Sequence, residues 1–494
     1  MCAIFGSLLG CLAIGSSQCW GQIIFFGTQS SDFNDPNNWS FPAAFPGQFE
    51  SYLIQDNHTV IFSGGSTTLG GLTVSHDSFG SLVMTGGELT LLNQVETLEV
   101  GRERFPRGKQ GDYDNSGFVD GGDFLVWQRQ FGQEVFSFGD GADGDESGFV
   151  DEGDLTYWRD RIGLRTKGGE VLLTGNATLS TNGAAIGRRT KGYLSVGAAA
   201  TLNVRGPISA GSTTIRSNDL EVGIYGPAYI AIDNEPGLEA EGIVEVSGAV
   251  NANSLLVNAF GGTGDFRLLP GGSVTLNGGV FLSRCDTQFF ASRCGLIANP
   301  EPLMSSQLSI TGSGGSFIVG KHDPNLSPPP GHDPGHRRDF RSGHPDNTTV
   351  TFTADAGGVT PIVMADNSPF PGELTGSVYL DGTVGNQPGT YAAMHLELDL
   401  DAYQGTEPLT LVDAPAGKLF GVFNPEITFL GTTTATVQYD YVQGDVVLVD
   451  FQRNNTAKIA SLSGSSVPEP SAAAWVTTSV LLWGMCRRRT RKDA

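Results

Sequence analysis

The chain has 494 residues, with 52 acidic and 29 basic side chains, a formal net charge of −23 and 69 glycines. Five of the basic residues lie between Arg487 and Lys492, so the main body is more acidic still. A nucleic-acid-binding protein needs a basic face, and this composition excludes one. Only 16 % of the residues are charged and 39 % are apolar, which is typical neither of a helical bundle nor of a disordered chain. The composition predicts a large, acidic, glycine-rich β protein.

An uncharged, mostly apolar run extends from Ala3 to Gly15. Its length suits the core of a signal peptide and is too short to span a bilayer. The small residue Gly21 precedes Gln22 and marks the candidate cleavage site. We therefore expect residues 1–21 to be a signal peptide and the protein to be exported.

Short stretches in which apolar and small polar residues alternate recur along the chain. Examples are Glu88–Leu92, Tyr193–Val196, Thr201–Val204, Ile243–Val246 and Ser273–Leu276. This alternation predicts half-buried strands that end at Gly, Asn or Ser turns. The segments resemble one another and long connections are absent, which favours a β-solenoid over a β-sandwich. We predict a mainly β fold with solenoid repeats over residues 22–105 and 166–320.

Two further features belong to the body of the chain. Cys285 and Cys294 are its only cysteines, and in an exported protein this pair predicts one disulfide, with two free thiols as the alternative. Residues 321–347 are rich in Pro, Gly, Asp and His and predict a linker. Strands such as His395–Leu400 and Asp445–Val449 then predict a C-terminal β domain over residues 348–458. The linker histidines leave a loose transition-metal site as an alternative to a solvated segment: His322, His332, His336 and His344.

The β pattern stops over residues 106–165, where two twelve-residue segments match each other at a spacing of 31 residues. Each segment has oxygen-bearing side chains at positions 1, 3, 5, 9 and 12 and glycine at position 6, which is the EF-hand calcium pattern. The predicted ligands of loop one are the side chains of Asp112, Asp114, Ser116, Asp120 and Asp123 with the carbonyl of Phe118. Those of loop two are the side chains of Asp143, Asp145, Ser147, Asp151 and Asp154 with the carbonyl of Phe149. The sequence therefore predicts two bound calcium ions.

A short helix is expected after each loop, with Trp127 and Trp158 at equivalent places, and no long helix precedes either loop. Val119 and Val150 occupy position 8, where paired loops usually meet through an apolar contact. The duplicated loop and helix resemble the type I dockerin over residues 111–163. The resemblance implies a calcium-dependent fold and, in that family, docking to a cohesin partner. A purely structural calcium clasp is the alternative, and the position of the insert within the chain favours it.

A three-part signal follows the predicted C-terminal domain. Pro468-Glu469-Pro470 precedes the uncharged segment Ala472–Cys486, and the basic residues Arg487, Arg488 and Arg489 come next. An apolar segment followed by a basic cluster is typical of a membrane anchor whose tail lies in the cytoplasm. Residues 467–492 resemble the PEP-CTERM sorting signal of Gram-negative bacteria. This implies processing by an exosortase-type enzyme, transient anchoring in the inner membrane, and delivery to the cell envelope or the exopolysaccharide matrix.

Three hypotheses of function follow. The leading one is a non-enzymatic, calcium-binding structural or adhesive protein of the envelope or exopolysaccharide matrix. The second is a docking component that binds a cohesin-like protein. The third is a polysaccharide lyase or hydrolase, which needs paired carboxylates or a base beside bound calcium. The acids Asp233, Glu245 and Asp265 occur singly on the predicted strands, and no Ser-His-Asp, P-loop or H-E-x-x-H motif is present, so we expect no enzymatic activity.

Overall fold

The computed structural model describes residues 22–40, 50–76, 78–92, 98–101, 111–114, 116–135, 141–145, 147–166, 168–187, 190–204, 219–222, 241–259, 263–284, 305–321, 339–342, 347–365, 376–380 and 393–453. The predicted signal peptide, Cys285, Cys294, the four linker histidines and the sorting signal at residues 467–492 lie outside these ranges. No helix within the ranges is long and apolar enough to cross a membrane.

The described chain is mainly β, as predicted, and its strands form three sheets. Sheet 1 contains β1 (Gln22–Ile24), β2 (Ser51–Ile54), β5 (Gly71–Val74), β8 (Leu98–Val100), β11 (Ala184–Ile186), β14 (Asp219–Val222), β17 (Ser254–Ala259), β20 (Val280–Arg284), β23 (Phe340–Ser342), β26 (Val378–Tyr379) and β29 (Leu419–Phe420). Sheet 2 contains β3 (His58–Phe62), β6 (Gly80–Met84), β9 (Gly169–Leu173), β12 (Lys191–Val196), β15 (Glu241–Val246), β18 (Thr263–Leu268), β21 (Ser305–Thr311), β24 (Thr348–Thr353), β27 (His395–Asp399) and β30 (Thr428–Phe429). Sheet 3 contains β4 (Ser66–Leu69), β7 (Glu88–Leu91), β10 (Thr178–Thr181), β13 (Thr201–Val204), β16 (Ala249–Ala252), β19 (Ser273–Leu276), β22 (Ser316–Val319), β25 (Ile362–Met364), β28 (Leu409–Asp413), β31 (Thr433–Asp440) and β32 (Asp445–Arg453).

Two α-helices interrupt this order between β8 and β9. They are α1 (Gly121–Gln130) and α2 (Glu152–Arg159), and they follow the two predicted calcium loops. A short 3-10 helix, Pro36–Asn38, lies near the beginning of the described chain. The sequence predicts the helices after the loops, whereas the observed helices already begin at position 10 of each loop, because the aspartate at position 9 caps the helix.

From β2 to β30 the chain passes through sheets 1, 2 and 3 in turn, so each strand from β2 to β27 pairs in parallel with the third strand after it. We call the three sheets together the β stack. Every second residue points inward, and in sheet 2 the inward residues of successive strands lie in register. Because each of these side chains packs on the next, the core is one continuous column. Its fully buried members are Val60, Leu82, Val171, Leu194, Val244, Phe266, Leu308, Val350 and Leu396.

Aromatic packing closes the first end of the described stack. The ring of Trp39 contacts Phe25, Phe33 and Tyr52 at centroid distances of 5.1, 5.2 and 5.1 Å. The buried Asn38 satisfies its own amide: its oxygen accepts from the backbone N–H groups of residues 29 and 30, and its nitrogen donates to the carbonyl of residue 32. At the other end, β31 and β32 form an antiparallel hairpin that pairs with β28.

The corner between sheets 1 and 2 explains part of the high glycine content. The second residue of β12, Gly192, is in register with Gly169 and Gly242 of the neighbouring strands. A Cβ atom on Gly192 would lie 2.7 Å from the carbonyl oxygen of Val100 and would also overlap the backbone of Gly187. Gly187 itself has φ +69°, a conformation that L side chains rarely adopt. Successive turns of the chain around the β stack therefore approach each other too closely at this corner to leave room for a side chain.

The strands on either side of the predicted linker belong to the same sheets. Strand β21 pairs with β24 in parallel, and β22 pairs with β25. The described residues lie within one compact unit. The sequence predicts a separate C-terminal β domain at residues 348–458, whereas the structure continues the β stack through these strands. The polar segment interrupts the hydrophobic pattern without ending the strand pairing, and strand β23 inside the predicted linker pairs with β20 in parallel.

Candidate metal centre

The insert brings together two triads of aspartates. Carboxylate oxygens of Asp112, Asp114 and Asp123 all lie within 4.8 Å of one another, and so do those of Asp143, Asp145 and Asp154. These residues occupy positions 1, 3 and 12 of the two predicted loops. In each triad the first and last aspartates are buried and the middle one is exposed. Each triad could hold a metal ion.

Local hydrogen bonds explain why each loop folds around its triad. Gly117 and Gly148 at position 6 have φ values of +94° and +86°, which permit the sharp reversal of the chain. Their N–H groups donate to carboxylate oxygens of Asp112 at 2.9 Å and of Asp143 at 3.1 Å. The reversal thus directs a backbone donor at the first aspartate of each loop and contributes to its orientation.

The last four residues of each loop form a helix cap. Asp120 and Asp151 at position 9 accept from the N–H groups of Gly122 and Gly153 at 2.7 and 2.6 Å. The position-12 aspartates, Asp123 and Asp154, accept in return from the N–H groups of Asp120 and Asp151, each at 2.7 Å. This reciprocal capping box fixes the start of each helix. The position-9 carboxylates are therefore directed at the helix ends and are not among the triad residues.

The predicted ligands at positions 5 and 7 contact each other. The hydroxyl of Ser116 donates to the carbonyl oxygen of Phe118 at 3.2 Å, and that of Ser147 donates to Phe149 at 3.0 Å. All the predicted metal-ligand atoms of the two loops are oxygen atoms. Such a set suits a hard cation such as Ca²⁺ or Mg²⁺, whereas nitrogen and sulfur donors suit transition metals.

Burial makes the negative charge of the triads costly. Burial and the charges of Asp114 and Asp112 raise the pKa of Asp123, although backbone hydrogen bonds oppose the shift. Burial likewise raises the pKa of Asp154, with the charge of Asp145 adding to it. At Asp114 burial also acts to raise the pKa, but hydrogen bonds from Ser116 outweigh it and lower the pKa. A bound cation would offset this accumulated charge.

The two halves of the insert hold each other through their tryptophans. The indole N–H of Trp127 donates to the carbonyl of Asp151, and that of Trp158 donates to the carbonyl of Asp120, both at 2.8 Å. Each helix thus fixes the residue that caps the other helix. The buried Tyr113 crosses between the halves and donates to the carbonyl of Asp154 at 2.9 Å. The sequence shows the equivalence of the tryptophans but not these hydrogen bonds.

The backbone groups of Val119 and Val150, at position 8 of the two loops, pair with segments outside the loops. The N–H of Val119 donates to the carbonyl of Leu164 at 2.9 Å, and the N–H of Val150 donates to Gln133 at 2.9 Å. Each loop therefore pairs with the segment that follows the other loop's helix. The reciprocal packing of α1 and α2 brings those segments alongside the loops.

Thr166 is a site residue that the loop pattern misses. Its buried hydroxyl donates to Asp112 at 2.6 Å. Thr166 lies beyond the twelve-residue loop and the following helix, so the EF-hand pattern contains no position for it. The duplication gives no signal for it either, because the residue 31 positions earlier is Val135, which has no hydroxyl.

The sequence suggests that the acids considered for catalysis occur singly, but the structure brings two of them together. Arg267 contacts Glu245 at 2.8 Å and Asp265 at 2.6 Å, and the hydroxyl of Tyr193 donates to Glu245 at 2.6 Å. These half-buried side chains lie together on the outer face of sheet 2, while Asp233 lies outside the described residues. The guanidinium occupies the space between the two carboxylates. The cluster therefore has the contacts of an ion-pair network that links successive strands.

Comparison with known proteins identifies no family for this chain. The resemblances to a dockerin and to the PEP-CTERM signal thus rest on the residues that carry them. No protein-family model, no curated protein and no solved structure matches the chain.

Proposed function

We propose that the chain is an exported, calcium-binding structural or adhesive protein of the bacterial envelope or exopolysaccharide matrix, without enzymatic activity. The observation that carries this proposal is the pair of matching aspartate triads in an insert between two strands of the β stack. The proposed architecture is a β-solenoid, supported by strands that pair with the third strand along the chain. A stack of this kind presents a long, regular surface and needs no catalytic centre.

Calcium is the proposed ion because each loop combines three clustered carboxylates with a hydroxyl and a carbonyl oxygen. Asp112, Asp114 and Asp123 would hold one ion, and the equivalent residues of loop two would hold the second. Calcium would supply the positive charge that the buried carboxylates need. The core of the insert is small, with Tyr113, Ala142 and Val150 at its centre, so we propose that calcium binding and folding of the insert are coupled.

The proposed location and partners rest on the ends of the chain. The apolar run within residues 1–21 supports export, and residues 467–492 support recognition by an exosortase-type enzyme at the inner membrane. Release would leave the protein in the envelope or the extracellular matrix. The proposed contact there is with exopolysaccharide.

Docking to a cohesin-like protein is the second candidate function. One observation favours it, because large apolar side chains of the insert are about half exposed. They are Phe118 (47 %), Leu125 (50 %), Phe131 (52 %), Phe149 (52 %) and Ile162 (56 %). A protein from envelope extract that is retained with calcium, and lost with chelator or with Asp112→Ala/Asp143→Ala, would establish this function over the structural one.

Calorimetric titration of calcium into the chelator-treated full-length chain tests the proposal. We expect two ions per chain for the native sequence and one ion for Asp123→Asn or Asp154→Asn. Asparagine keeps the size of the side chain, and its oxygen can still accept the N–H of the capping residue, so each change removes the charge of one ligand and one carboxylate acceptor.

Asp160→Asn is the matched control, since it removes the same charge from an exposed residue at the end of α2. This variant should still bind two ions. Absence of saturable calcium binding, or binding that neither loop variant changes, would contradict the proposal.

A further inference from the structure

The two loops are near copies, but the segments that pair with them differ. Loop one pairs with residues 163–166, and loop two pairs with residues 132–135, which lie 31 positions earlier. At the equivalent places, Arg165 corresponds to Glu134 and Thr166 to Val135. The backbone pairing is the same: Thr166 N–H donates to Gly117 at 3.1 Å, and Val135 N–H donates to Gly148 at 3.0 Å. Only the side chains distinguish the two segments.

The first difference concerns the aspartate at position 1. Thr166 donates its buried hydroxyl to Asp112 at 2.6 Å, whereas Val135 has no hydroxyl to offer Asp143. Asp143 instead accepts from the backbone N–H of Ser147 at 2.9 Å. The orientation of the first ligand of loop one therefore depends on a residue outside the loop.

The second difference concerns the β stack. The backbone N–H of Arg165 donates to the side-chain oxygen of Asn57 at 3.2 Å, and Asn57 lies in the turn between β2 and β3. The guanidinium of Arg165 lies 5.0 Å from the ring centroid of Phe79, just before β6, and 5.3 Å from that of Phe118 in loop one. Cation–π contacts of this kind are attractive. Glu134, at the equivalent place beside loop two, is exposed and carries the opposite charge.

From these contacts we infer that loop one, unlike loop two, is coupled to the β stack. Thr166 is a positioning residue that orients Asp112, and Arg165 connects the ordering of loop one to the corner formed by Asn57 and Phe79. This inference rests on the proposed calcium binding. Because coupling between two equilibria is reciprocal, the same contacts that let calcium order this corner also raise the affinity of loop one.

Thr166→Val in the full-length chain tests the positioning role, because valine keeps the shape of threonine and removes the hydroxyl. The measurement is calcium titration in an Asp154→Asn background, which leaves loop one as the measured site. We expect about a tenfold weaker affinity, as for other residues that hold a metal ligand. In an Asp123→Asn background, which isolates loop two, Thr166→Val should leave the affinity unchanged. Val135→Thr in the Asp154→Asn background is the matched control and should leave loop one unchanged.

Hydrogen exchange supplies a readout independent of affinity. In the native sequence, calcium should increase the protection of backbone amides at residues 55–57 and 78–80. Arg165→Ala removes the cation–π contacts and leaves the backbone hydrogen bond to Asn57, so it should clearly reduce this increase, while Glu134→Ala should retain it. Wild-type affinity of loop one in Thr166→Val, or an undiminished calcium-dependent increase in protection of the corner in Arg165→Ala, would overturn the coupling. Absence of calcium binding by the native chain would refute the proposed function together with this inference. Calcium binding by the native chain with unaffected variants would refute this inference alone, so the two failures are distinguishable.

Discussion

Replacing Phe266 by alanine is expected to lower the free energy of unfolding of the β stack by about 3–5 kcal/mol. Phe266 lies in β18, is completely buried, and packs edge-on against Phe317 at a centroid distance of 6.3 Å. Its register neighbours are Val244 in the preceding strand of the sheet, β15, and Leu308 in the following strand, β21. Alanine would leave a cavity within the column of inward side chains, and rigid strand pairing on both sides would prevent its collapse.

The midpoint of denaturant unfolding, followed by far-UV circular dichroism, measures this effect. Ser309→Ala is the matched control, because Ser309 is half-buried on the outer face of the neighbouring strand β21. It should change the stability by less than about 0.5 kcal/mol. Equal midpoints for Phe266→Ala and the native chain would show that the column is not the core of the fold.

Gly192→Ala is expected to destabilise the stack by about 3 kcal/mol, at the upper end of the usual cost of overpacking. Strand propensity alone predicts the opposite sign, since alanine in a strand is about 0.5–1 kcal/mol more favourable than glycine. The steric clash outweighs this preference, because the new Cβ would lie 2.7 Å from the carbonyl oxygen of Val100. That oxygen accepts the N–H of Gly187 at 2.8 Å, so it cannot move without breaking the corner.

Ser195→Ala, three residues further along β12, provides the comparison. Ser195 is half-buried on the outer face, and its replacement should leave the unfolding midpoint almost unchanged. A Gly192→Ala protein as stable as the native chain would mean that successive turns of the chain do not lie as close to each other at this corner as described.

The local strand pattern was largely predictable from the sequence, because alternation of inward and outward residues directly records burial. The predicted strands Thr201–Val204 and Ser273–Leu276 match β13 and β19 residue for residue. The pairing of the strands was harder to predict, since nothing in one strand identifies its neighbour. The polar segment at residues 321–347 shows the limit: composition marked it as a boundary, yet the strands before and after it pair directly.

The loops of the candidate metal centre were visible because oxygen-bearing residues must follow the chain around an ion at fixed positions. The structure brings together the predicted aspartates at positions 1, 3 and 12 in both loops. Thr166 and Arg165 escaped prediction because their roles arise from tertiary contacts. Thr166 reaches Asp112 across 54 positions, and Arg165 reaches Asn57 across 108.

Hydrogen exchange of the full-length chain with calcium and with chelator compares the folding of the insert with that of the β stack. We propose that calcium folds the insert, whereas the β stack folds without calcium except at the corner beside Arg165. We therefore expect amides of residues 111–166 to lose protection in chelator, while those of β12, β15 and β18 keep it. Unchanged protection of residues 111–166 after calcium removal, or loss of protection throughout the stack, would contradict the account.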